Sequence, residues 1–189
     1  MKLFVEGAHR TAGKAVAAAA RVAGVEVLAQ VPPGWGGEGT TPLDLSDMSA
    51  LDAALDGCEA IFIEAIASLR SERDGLSQGV ERALSLAEAG ARAGVGRMVL
   101  LSRRGVEWIP GAVIQARRVS EAVAVESGMS WTLLRPDGLV PGEGGGALLA
   151  SLRPLGADRL GRAVVALLER DLCRDRVVTG AQIVRLSQG

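Results

Sequence analysis

The stretch LFVEGAHRTAGKAV, residues 3–16, decides how the chain is read. An unbroken apolar run meets Glu6 and Gly7, turns, and becomes an alanine-rich segment. Leu, Phe and Val in succession suit a short strand buried on both faces. Gly7 offers the backbone freedom that a tight turn needs. The pattern predicts a strand over 2–7, a turn, and a helix over 11–24 that stops at Gly24. This is the opening half of a βαβ unit.

The same alternation repeats outward from this stretch. Strands are predicted at 25–31, 43–45, 59–65, 96–102 and 130–136, the last stopped by Pro136, and one or two more at 176–186. Helices are predicted at 47–56, with Ser46 or Asp47 near its start, and at 74–93, 112–127 and 158–170. On the 74–93 helix, Leu76, Val80, Leu84 and Ala87 share a face. Strands alternating with helices imply an α/β fold, a parallel sheet covered by helices on both faces. Such sheets bind ligands beyond the carboxyl ends of their strands, where strand order reverses. The candidate chemistry therefore sits at Gly7–Gly13, Val31–Trp35, Asp44, Glu64–Ser68, Ser102–Arg104 and Pro136–Gly138.

The 189 residues suit one domain, and 48% of them are hydrophobic, enough for a sizeable core. With no Tyr and only three Trp and two Phe, that core must be aliphatic. A net charge of −1 gives no reason to expect a nucleic-acid or membrane-surface partner. Cys58 and Cys173 lack metal-ligand spacing and are expected as small core residues, with no metal. The opening MKLFVEGAH lacks the pattern of a secretion signal, and no apolar run reaches the roughly 20 residues of a membrane span. A soluble cytoplasmic protein is the expectation.

Five segments carry a resemblance: GAHRTAG (7–13), DLSD (44–47), DGCEAIF (56–62), VGRMVLLSRRGV (95–106) and ESGMSWTLLRPDGL (126–139). In this order and spacing they resemble the atypical short-chain dehydrogenase/reductases, especially the compact NmrA-like and biliverdin-reductase-B-like proteins. The resemblance covers about residues 1–170. It implies a Rossmann-like, doubly wound single domain, with residues 137–189 as the smaller substrate-side part. It also implies an NAD(P)H cofactor and a small, conjugated substrate. A homodimer is a separate option. ADRLGRAVVALLE (157–169) is similar to the helix that closes the substrate side in that family.

The loop of the family reads G-x-x-G-x-x-G. Gly7 and Gly13 match, and Arg10 stands at the middle glycine, where a side chain takes phosphate space. Arg10 either clamps a phosphate, as guanidinium does well, or blocks the site. His9, Arg10, Thr11, Ala12 and Gly13 would line the pyrophosphate by this reading, with Lys14 adding charge in the first turn. Asp44 and Leu45 match the pair that borders adenine, although Asp44 also suits a plain turn. VLAQVPPGW (27–35) ends in neither the acid nor the arginine that selects NAD or NADP.

The family's Y-x-x-x-K falls on Val113 and Arg117, so the ordinary tyrosine proton donor is absent. Ser102 either meets a substrate carbonyl or nicotinamide amide, or caps a turn. Ala65 and Arg117 complete the cofactor-side set. Neighbours Arg103 and Arg104 point apart, so at most one faces the cleft. Glu107, Trp108 and Asp137 are further loop candidates. Glu64 is unusual at its strand end, either a solvated rim acid or an acid/base with a perturbed pKa. His9, the sole histidine, is either a surface residue or a proton carrier. Glu64, Ser102 and His9 are the candidate catalytic set, either for a reductase or for a non-redox isomerase, cyclase or lyase. A non-catalytic sensor is the third reading. Arg135 is expected to pair with an acid, and Leu148, Leu149, Leu152 and Leu155 to be core or dimer contact.

Overall fold

A computed structural model describes residues 1–64, 74–105, 111–142 and 154–188, the side chains of 74–77 and Val113 excepted. Ala65, Glu107, Trp108, Leu148, Leu149 and Leu152 thus lie outside the described residues. The strands are β1 (Lys2–Val5), β2 (Glu26–Val31), β3 (Thr41–Pro42), β4 (Ala60–Glu64), β5 (Arg97–Leu101), β6 (Ser130–Arg135), β7 (Leu139–Val140), β8 (Leu155–Gly156) and β9 (Arg176–Thr179). The helices are α1 (Thr11–Val22), α2 (Met48–Leu55), α3 (Asp74–Arg92), α4 (Ala112–Glu126), α5 (Ala157–Glu169) and α6 (Gly180–Leu186).

Seven strands form one parallel sheet in the order β3-β2-β1-β4-β5-β6-β9, and β7 pairs with β8 apart from it. Strand order reverses between β1 and β4, so the doubly wound α/β expectation holds. Alternation along β1 sends Leu3 and Val5 to one face and Phe4 to the other. Leu3 and Val5 join Val16 and Ala20 of α1 and Leu160 and Val164 of α5 in one core. Phe4 joins Leu51 and Leu55 of α2, Leu86 of α3 and Ala124 of α4 in the second.

Asp47 caps α2, its carboxylate accepting the Ala50 amide at 3.0 Å. Arg135 pairs with Glu121 through two bonds of 2.9 and 2.6 Å, as its strand-end place suggested. Three expectations need correction. The strand expected at 43–45 lies instead at Thr41–Pro42. Leu43 and Leu45 leave the sheet to bury themselves in the second core, and the Leu43 carbonyl accepts from Gln30 Nε2 at 2.8 Å. Residues 180–186 are helical, because Gln182 turns back to accept the Thr179 amide at 2.8 Å and opens a helix there. On α3 the buried face is Ala83, Leu86, Ala87 and Gly90, while Leu84 is exposed. Gly90 sets this rotation, since a Cβ there would meet Ile61 Cδ1 at 2.7 Å.

Helix α5 packs along α1. Their closest approach is Gly161, where a Cβ would overlap the Ala15 carbonyl. Gly161→Ala is therefore expected to lower stability by about 1–3 kcal/mol, the usual cost of overpacking, measured by urea unfolding. A gain in stability, as propensity alone predicts for Gly→Ala in a helix, would contradict the close contact.

Candidate active site and nucleotide cleft

The reversal of strand order leaves a gap above β1 and β4, and the loop after β1 fills its floor. Gly7 takes φ +70°, and its amide donates to the Gln30 side-chain oxygen at 3.1 Å. The Ala8 amide donates to the Gln30 carbonyl at 2.8 Å. Gln30, 3% exposed, thus fastens the loop to β2 and, through Leu43, to the segment beyond β3. Gly13 stands so close to the Gly7 carbonyl that a Cβ there would overlap it. These two glycines occupy positions that the loop geometry demands.

Arg10 neither reaches into solvent nor stands across the loop. Its guanidinium folds back over Gly7, where a Cβ would collide with it. It donates to Glu6 Oε1, and its Nε lies 3.3 Å from Glu64 Oε2 without hydrogen-bond alignment. Arg82 of α3 adds a second cation, its Nε 3.4 Å from Glu6 Oε1. Glu6 also accepts the Glu64 amide at 3.1 Å. The side chains of Glu6, Glu64 and Arg10 are 3%, 12% and 16% exposed. Burial pushes the Glu64 carboxyl above its ordinary value, and Arg10 beside it opposes the rise.

Two clefts flank this cluster, and His9 and Arg10 line both. The inner cleft, about 430 Å³, runs over the ends of β1 and β2 and is walled by Glu6, Gln30, Asp44, Leu45 and Arg82. Asp44 there is held by Ser46, whose amide and hydroxyl donate at 2.9 and 2.8 Å, and these bonds lower its pKa. The outer cleft, about 620 Å³, runs over β4, β5 and β6, walled by Thr11, Glu64, Ser102, Arg103, Arg117 and Asp137 among others. Arg104 pairs with Asp137 at 2.8 Å, and of the two neighbours Arg103 lines the cleft. Ser102 is 4% exposed. Its hydroxyl forms no aligned hydrogen bond, though it lies near enough to Glu121 to offset part of the burial that raises that carboxyl. His9 Nδ1 is likewise buried without a partner, and its ring stands 4.9 Å from that of Trp35, tilted by 51°. Burial lowers the His9 pKa, with Arg10 contributing in the same direction.

Of the candidate site residues, His9 and Arg10 line both clefts, Asp44 and Leu45 the inner one, and Thr11, Glu64, Ser102 and Arg117 the outer one, whereas Ala12 faces the core from α1. Sequence reasoning missed Glu6, Gln30 and Arg82. Glu6 and Gln30 left a trace, since Glu6 ends the apolar run Leu3–Val5 and Gln30 interrupts the run 27–31. Arg82 left none, because a charged residue on a long helix is unremarked until its rotation is known. Among the described residues, no group of three or more His, Cys, Asp or Glu could hold a metal, and no helix is long and apolar enough to cross a membrane.

Fold and site together define a doubly wound α/β protein with its cleft at the switch point. Residues 7–172 match the family described as NAD(P)H-binding, and the chain belongs to that family. Among solved structures, a protein of Bacillus halodurans described as an NAD-dependent epimerase/dehydratase is similar, with a TM-score of 0.81 and 15% identity. That likeness covers 100% of this chain and 99% of the other. An oxidoreductase of Lactococcus lactis superposes with a TM-score of 0.75 at 17% identity, covering 100% and 95%. The triphenylmethane reductase of Citrobacter sp., solved with NADP(H), has a TM-score of 0.69 at 12% identity, covering 93% and 67%. At these identities the likeness is one of fold. No curated protein matches the chain in sequence.

Proposed function

We propose that this protein is an NAD(P)H-dependent reductase of a small conjugated molecule, acting without a tyrosine proton donor. The observation that carries the reading is the pair of clefts meeting at His9 and Arg10, directly over the start of α1. The residues present suit a dinucleotide at both ends. Leu45, Asp44 and Gln30 offer an apolar floor and polar rim for an adenosine. Ser102 and His9 bring buried, unpartnered polar atoms to the outer walls, where a ligand can satisfy them. In the middle, Arg10 supplies a cation and α1 its positive end for the phosphates. NAD(P)H held by these residues would supply hydride chemistry.

The protein's own groups do the rest. Ser102 is placed to donate to a carbonyl oxygen, and Arg117 stands at the family's lysine place in the same wall. Glu64 holds a proton more readily than an ordinary carboxyl and faces the same cleft. The chain works as one domain in this reading, its part from residue 137 onward supplying the substrate side through Asp137, Gly138, Leu139 and Pro141. A second reading, a non-redox isomerase, cyclase or lyase using Glu64, is favoured by one observation: Arg10 covers Gly7 where a phosphate would approach.

Titration with NADH and NADPH, followed by nicotinamide fluorescence and calorimetry, separates the two. Saturable binding of either is expected. No signal up to about 1 mM, the weak end of specific affinity, would leave the non-redox reading standing.

A further inference from the structure

The two carboxylates beneath the loop are held unequally. Glu6 accepts from Arg10 and from the Glu64 amide and lies 3.4 Å from Arg82. Glu64 Oε2 has only the misaligned Arg10 Nε at 3.3 Å and accepts no hydrogen bond. Arg10 is thus already engaged by two carboxylates before any anion arrives. A phosphate brought against Arg10 also brings negative charge against Glu64 in a poorly solvated place, and like charges there disfavour ionisation.

We infer that a phosphate-bearing nucleotide seats against Arg10 by displacing Glu64, and that Glu64 takes up a proton from solvent as it lets go. Binding is then coupled to the gain of one proton, and Glu64 is the specificity-determining stand-in for the ligand's own charge. The inference rests on the dinucleotide reading above. The charged and titratable groups around Glu64 are Glu6 just after β1, Arg10 from the loop, Arg82 from α3 and Arg117 from α4. Of these, Arg10 is the strongest influence keeping Glu64 ionised, so its loss to a phosphate is the event that favours protonation. His9, the other group beside Arg10, is held below its ordinary pKa by burial and by Arg10, Arg82 and Lys14. It is controlled for with its own variant.

The test is calorimetry with NAD⁺, whose pyrophosphate does not titrate near neutrality, and with NADP⁺. Wild type, Glu64→Gln and His9→Gln are measured between about pH 6 and pH 8 in two buffers of different ionisation enthalpy. Wild type should take up about one proton per nucleotide, and Kd should weaken by up to about tenfold per pH unit. Glu64→Gln should bind with little pH dependence and more tightly than wild type at the alkaline end, while His9→Gln keeps the wild-type slope. The proton count on wild type stands even if a variant folds poorly. Buffer-independent heats in wild type, or the same slope in Glu64→Gln, would overturn the inference and leave the dinucleotide reading intact. Failure of wild type and Glu64→Gln alike to bind either nucleotide at any pH would overturn both.

Discussion

Arg10→Ala is expected to unfold at markedly lower urea than wild type, with a loss of about 3–5 kcal/mol, the cost of breaking a buried ion pair from one side. The variant leaves Glu64 without its nearest cation and Glu6 with Arg82 at 3.4 Å. The loss should shrink in the double variant Arg10→Ala/Glu64→Gln, because the second change removes the stranded charge, and coupled neighbours are not additive. It should also shrink as pH falls, since the stranded carboxylate then takes a proton. If Arg10→Ala unfolds within about 0.5 kcal/mol of wild type, as ordinary surface substitutions do, the network described under the loop has no energetic weight.

Glu64→Gln should lower kcat by about 10²–10⁴, the usual worth of a positioned acid or base, with any conjugated acceptor that supports NAD(P)H oxidation. Nucleotide affinity should be kept or improved, so the loss falls on kcat and not on cofactor binding. The same residue leaves a mark on stability. Its folded-state pKa is raised by burial, so its contribution is fully present below the usual carboxylate range and is lost as pH rises through the raised value. Glu64→Gln lacks that loss, and its thermal midpoint should gain on wild type as pH is raised from about 4 to 8. Turnover near wild type in Glu64→Gln would remove the carboxylate from the chemistry. Proton delivery would then fall to Ser102, His9 or solvent.

The sheet was legible in the sequence because it is buried on both faces. Runs such as Leu3–Val5 and Ile61–Ile63 have no periodicity to misread, and the glycines and capping residues at their ends mark where the chain turns. The errors fell where side chains, not patterns, set the path. Leu43 and Leu45 look like strand residues, but their side chains go to the second core and the Leu43 carbonyl is taken by the Gln30 side chain in place of a strand backbone. Val184 and Ile183 look β-forming, but Thr179 with Gln182 three residues on opens a helix, a signal present in the sequence and outweighed by the valines. The site was legible as a set of positions and not as a network. Arg10 was visible as a departure from glycine, yet its partners Glu6 and Glu64 come from the ends of two strands, and Arg82 of a distant helix joins through Glu6 only by packing.

The borders of the main sheet carry a different consequence. At one side lies β3, two residues long and ending in Pro42, which has no amide hydrogen to give. At the other lies β9, four residues long, followed at once by the turn into α6. Neither border offers a long, flat row of free backbone groups on which a foreign strand could extend the sheet. The seven-stranded sheet is thereby protected against the edge-on stacking that leads to fibres and precipitates, by brevity at both margins.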